Sequence, residues 1–224
     1  MRASWRIWLC LALTITAARA DDSQWTSRDY VDFYFRHYNG HVPLPHLRDE
    51  KQKALFNHLI DPGNITRIEQ TPVSNDEKLR QLRIILAILG SYRAAYNVAV
   101  IVGEPLQQEL TLVQVHTLEV AAVVARLIKT LPANDGAATA WATLVEGVII
   151  SLGDRTLYSP AQSILMADAI TLHYPAIAVV LPEDERHRLR AQALKLDDAS
   201  DNEVLHESVR RMKLALSAAP KVRR

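Results

Sequence analysis

The sequence predicts an all-α protein, a single-domain helical bundle of about seven or eight helices organised around a long antiparallel hairpin. Three observations predict it. Proline and glycine fall almost entirely between apolar segments rather than inside them. Within those segments apolar residues recur in steps of three and four, the period of a helix face, without the two-residue alternation of strands. Several segments also open on helix-capping residues. With 49% hydrophobic and 23% charged residues in 224, the composition excludes a disordered or collagenous chain, and a single cysteine excludes a disulfide scaffold.

Residues 1–20 stand apart from the bundle. Arg2 and Arg6 make a basic start, Ile7 to Thr16 is an apolar run, and Ala18-Arg19-Ala20 offers the small residues that a signal peptidase cuts behind. This reads as a cleavable secretory signal, cut after Ala20, with residues 21–224 forming the all-α domain. A membrane anchor needs about 20 apolar residues, and this run is much shorter. Cleavage takes away Arg2, Arg6 and Arg19 and no acid, leaving a slightly acidic chain without the basic excess that grips phosphate, so no nucleic-acid partner is expected. It also removes Cys10, the only cysteine. A disulfide-free exported chain of this size fits a bacterial periplasm better than a eukaryotic secretory route, so a periplasmic or secreted location is expected. In a eukaryotic setting Asn64-Ile65-Thr66 would be a glycosylation sequon.

A first helix is predicted from Thr26 or Ser27 to Tyr38, with Gly40 beyond its end, and a second from Leu47 to Ile60 before Asp61-Pro62-Gly63. His41-Val42-Pro43-Leu44-Pro45-His46 between them is a stiff extended loop. Ser74-Asn75-Asp76-Glu77 matches a capping box and opens a proline-free helix that lasts to Gly103, about 40 Å long at 1.5 Å per residue. Glu104-Pro105 starts the next, which Pro132-Ala133-Asn134-Asp135-Gly136 closes, and the short junction between them implies the hairpin. A fifth helix spans Ala137 to Leu152, completing the core at 75–152. The C-terminal helices occupy 159–218: Ser159-Pro160 caps the sixth, Pro175 and Pro182 divide off a short apolar piece and a charged helix, and Ser200-Asp201-Asn202-Glu203 is a second capping box.

Leu79, Leu82, Leu86, Leu89, Tyr96 and Val100 lie on one face of the helix at 75–103, and Ile85, Ile88, Tyr92, Ala95 and Ala99 on another, which predicts a central position for it. The next helix shows one apolar stripe from Leu106 to Leu131. Gly90 and Gly147, inside helices, are expected at close helix contacts. Arg93, His116, Glu119 and Glu146 interrupt every candidate membrane span, and a charge within lipid costs about 2.5 kcal/mol or more, so no stable membrane span is expected.

Candidate chemistry rests on few residues. His116, Glu119, Val123 and Arg126 share a face; turned inward, Glu119 or Glu146 would be a carboxylate with a raised pKa, fit for a general acid, with His116 assisting. The plainer reading is a solvated face, with Arg93 in a structural ion pair with one glutamate. His37, His41 and His46 could converge on a metal around the proline-containing loop, although their spacing matches no ligand motif, and no cofactor is assigned. Glu203-Val204-Leu205-His206 has the Glu-x-x-His spacing of di-iron bundles, which need two such motifs where this chain has one. Trp25, Tyr30, Phe33, Tyr34, Phe35 and Tyr38 crowd the start of the domain; Trp25, Phe35 and Tyr38 are the candidates for presenting aromatic surface to a partner. No phosphate loop, nucleophile elbow or His-Glu-x-x-His is present.

These readings favour binding over catalysis: an exported protein that works by protein–protein interaction, as an envelope accessory, an inhibitor or immunity-type protein, or a chaperone-like module. Its partner would be another envelope or secreted protein, or a further copy of itself. The alternative is a hydrolase or lyase acting on the cell envelope through Glu119 or Glu146 and His116.

Overall fold

The computed structural model describes residues 24–37, 43–128, 135–196 and 202–218. Tyr38 and His41, like residues 1–20, lie outside them. Among the described residues the structure is all-α, with α1 (Ser27–His37), α2 (Glu50–Leu59), α3 (Pro62–Gln70), α4 (Asn75–Ile101), α5 (Gln107–Leu127), α6 (Asp135–Gly153), α7 (Pro160–Ala178), α8 (Glu183–Leu194) and α9 (Glu203–Ser217). The helices pack as a bundle. α4, α5, α7 and α9 form a row of neighbours, α1 and α3 lie on α4, and α6 is held mainly by α8 and α7. The sequence places the helix at 137–152 on the helix pair at 75–131; in the structure it leans chiefly on the C-terminal helices.

The caps explain most helix starts. Ser74 Oγ accepts from the Glu77 N–H at 3.2 Å, while the Glu77 carboxylate turns away to Arg80 and Gln81, so the expected box is half formed. Ser159 and Gln162 make a complete one at α7. Asn202, rather than Ser200, caps α9. Two proline signals read differently in three dimensions. Asp61-Pro62-Gly63 does end α2, but Asp61 also accepts from the Gly63 N–H at 2.8 Å and Pro62 fills the first turn of α3, so one short segment both stops and starts a helix. Pro175 sits inside α7 instead of dividing it. An interior proline costs about 3 kcal/mol. Burying Ile177, Ala178 and the ring of Tyr174 around it offsets part of that, at about 1.5–3 kcal/mol for a large apolar side chain.

The central helix is α5, not α4. Of the most apolar 18-residue window in each, 72% is buried in α5 and 39% in α4. Both are long and apolar enough to cross a membrane by length and composition alone, but α5 is a core helix enclosed by protein. Gly90 also departs from expectation, since a side chain there would meet nothing within 4 Å. Gly147 does mark a close contact, with Arg93 Nη1 3.3 Å from where its Cβ would stand.

Asn64 ties the first three helices together. Fully buried, it accepts from the Trp25 N–H at 2.6 Å and donates Nδ2 to Tyr30 Oη at 3.0 Å and to the His58 carbonyl at 2.9 Å. Tyr30 in turn donates to the Leu59 carbonyl at 2.8 Å. With both Nδ2 hydrogens engaged and no solvent path, this sequon cannot carry a glycan in the folded protein. Tyr30→Phe is expected to lower the unfolding free energy by about 1–3 kcal/mol and Asn64→Ala by about 2–4 kcal/mol, because each strands buried polar partners. In urea titrations the double substitution should cost less than the sum, and additive losses would contradict a shared network.

Candidate functional site

The inward turn of the His116 face is half realised. His116 on α5 is buried, and its Nδ1 lies 2.9 Å from Glu119 Oε2, one turn along the same helix. With the proton assigned to Nδ1, the imidazole donates to the carboxylate and Nε2 is a buried acceptor with no partner. The hydrogen bond from His116 is the main reason that the Glu119 carboxyl lies below the ordinary carboxylate range, with burial opposing it and His173 and Arg126 adding weaker support. His173, on α7, joins this cluster without having been marked in the sequence. Burial pushes its pKa down while the Glu119 charge pulls it up. At the end of α5, Arg126 reaches Glu69 on α3 at 3.5 Å.

This electrostatic pattern is the reverse of what a general acid needs. A proton donor near neutrality requires a carboxyl raised by burial, and Glu119 is lowered. Its orientation toward a histidine is that of a carboxylate steadying an imidazole, yet the other ring nitrogen of His116 opens onto no solvent. Glu146 does not join the cluster. It pairs with Arg188 of α8, which also holds Glu185 at 2.8 Å, and so stitches α6 to α8. Arg93 lacks the expected glutamate: among the described residues it has no ion pair, and its half-buried guanidinium lies over Gly147.

The remaining candidates separate. His37, at the end of α1, packs on Phe33 with ring centroids 4.3 Å apart. His46 receives the Arg48 N–H and lies 3.5 Å from Asp49, beside the α2 cap. No group of three metal-ligating side chains occurs among the described residues. Glu203 and His206 lie at the start of α9, where Asn202 does the capping. Trp25 packs against Tyr30, Phe33 and His58 at 5.4, 4.7 and 5.6 Å, so it anchors α1 rather than displaying surface. Phe35 is 73% exposed.

A larger exposed apolar surface lies on α4. Arg83, Ala87, Gly90, Ala94, Val98 and Ile101 follow one another at three- and four-residue steps, and all but half-buried Gly90 are exposed. Val98, Ile101 and Val102 are 60, 72 and 70% exposed. The step pattern was available in the sequence, but the aliphatic residues on the other faces of this helix hid it. Beside this stripe, Asp76, Leu79, Arg80, Arg83, Ile84 and Ala87 line an open hollow of about 530 Å³. No known protein family, curated protein or solved structure matches this chain.

The depressed Glu119 carboxyl sets the sign of a pH effect. Its contribution to stability is fully present above the ordinary carboxylate value near 4.5 and is lost as pH falls through the lower folded value. Glu119→Gln should therefore be less stable than the parent at about pH 6, with the difference closing toward about pH 3, in urea midpoints at the two values. A difference that stays constant with pH would remove the ionised carboxylate from the account.

Proposed function

We propose that this chain is an exported protein that acts by protein–protein interaction, and that the exposed face of α4 is its contact surface. The observation that carries the reading is the aliphatic surface of Ala94, Val98, Ile101 and Val102, contiguous along one helix and its end. Contiguous apolar surface of this kind marks interaction sites, whereas single exposed apolar residues such as Leu172 or Leu194 need no partner. The role is that of an envelope accessory, an inhibitor or immunity-type protein, or a chaperone-like module. Export rests on the pattern of residues 1–20, and it predicts that protein recovered from its host has a mass beginning at Asp21 and leaves the cell in the periplasmic or secreted fraction. A retained N-terminus in the cytoplasmic fraction would contradict it.

The acid–base alternative has less behind it, because Glu146 is committed to Arg188 and Glu119 to His116. The binding reading is tested by Val98→Glu combined with Ile101→Glu. Both side chains point to solvent, so the melting temperature should stay close to that of the parent, as exposed substitutions change stability by about 0.5 kcal/mol or less. Native mass spectrometry of gently purified protein should show the parent in a complex of fixed stoichiometry and the variant alone. A variant that keeps its complex would place the interface elsewhere.

A further inference from the structure

Resting on that reading of α4, we infer that the occupant of this face is a second copy of the chain, with the two α4 helices antiparallel about a two-fold axis near Gly90 and Ala94. The distribution of bulk and charge along the stripe points to this partner. Its C-terminal end is bulky and projecting, with Val98, Ile101 and Val102 exposed. Its middle is narrow, because Ala87, Gly90 and Ala94 offer little or no side chain, and a Cβ on Gly90 would meet nothing in its own chain. The N-terminal end carries the hollow between Leu79 and Ala87. Turning one copy end for end lays the projecting end of each over the narrow middle and hollow of the other, while the small residues at the axis let the backbones approach.

Charge selects the same arrangement. Arg83 and Glu104 are exposed, and neither has an ion pair among the described residues. Within one chain Arg83 lies near the start of α4 and Glu104 just past its end, with about 27 Å of helix between Arg83 and Ile101 at 1.5 Å per residue, too far to meet. The two-fold brings Glu104 of each copy to the Arg83 end of the other, where Arg80 is already held by Glu77, and symmetry makes the contact twice. A parallel pairing would set Arg83 against Arg83, Val98 against Val98 and Glu104 against Glu104. That stacks bulk on bulk and like charge on like charge. A lipid surface would use the aliphatic end but leave the Glu104 carboxylate facing its phosphates.

The test uses the full chain with a C-terminal tag, processed as the cell processes it, in sedimentation equilibrium and native mass spectrometry. The parent should be a dimer. Arg83→Glu and Glu104→Arg should each weaken dimerisation on the order of tenfold or more, since each turns two attractions into repulsions. Mixed together, the two variants should form a heterodimer, because each then meets its opposite at both contacts. Gly90→Leu should abolish the dimer while leaving the monomer folded, since a Cβ at this position meets nothing in its own chain; its circular dichroism and melting at high dilution check the fold. A parent that is monomeric at all concentrations overturns self-pairing. If Val98→Glu with Ile101→Glu still destroys a complex with a different polypeptide, the α4 binding reading survives alone; if that complex is untouched, both fall. A monomer that floats with phosphatidylglycerol vesicles assigns the face to lipid and overturns the pairing. A dimer in which the mixed variants fail to pair overturns the register.

Discussion

A helix enclosed over most of its surface has little water for its buried polar side chains, so these must look for partners in the protein. α5 meets this constraint for most of its buried polar groups, with Gln114 Oε1 and His116 Nε2 left over. Glu109 takes the Leu47 N–H at 2.8 Å, Thr111 and Thr117 return their hydroxyls to carbonyls one turn back, Gln114 donates to Ser151 at 3.1 Å, and His116 meets Glu119. Those partners come from the loop before α2, from α5 itself and from α6. The bundle is therefore arranged around a polar requirement as much as around an apolar one. Because α5 accepts neighbours on several faces, α7 can pack along it and carry α9 on its far side, and α4 is free to leave one face outward.

The fold class, the caps at Ser74 and Ser159, the boundaries of α4 and the start of α8 were legible in the sequence because they depend on local chemistry: a hydroxyl before a helical run, or a proline at its margin. What could not be read is whatever depends on a distant neighbour. Pro175 looks like a break until the burial of Tyr174 and Ile177 is set against it. Asp61-Pro62-Gly63 looks like a single stop because stop and start signals use the same residues. The order of burial between α4 and α5 was inverted for a related reason. Aliphatic side chains on every face suggest a core helix, yet α5 is the more deeply enclosed, with Glu109 and Gln114 taking partners from the loop before α2 and from α6 that sequence spacing does not reveal.

The candidate site was legible to a similar degree. The three-residue step from His116 to Glu119 is a local fact, and the two do meet. The sign of the Glu119 shift is not local, since burial and the histidine hydrogen bond act in opposite directions and only geometry says which is larger. Glu146 and Arg188 are far apart in sequence, so nothing in the spacing announces their pairing. His173 is unremarkable on its own helix and acquires meaning only where α7 crosses α5.

The proline-containing loop before α2 is fastened at two points, by Tyr96 donating to the Pro45 carbonyl and by Glu109 accepting the Leu47 N–H. The second bond spans 62 residues of sequence and ends on the buried carboxylate of the central helix. Loop amides ordinarily trade their hydrogens with solvent through small local fluctuations. For the Leu47 amide that route is more costly, because freeing it strips Glu109 of its partner inside the core. That loop hydrogen should therefore exchange more slowly than those of the exposed residues beside it, in a segment that otherwise looks peripheral.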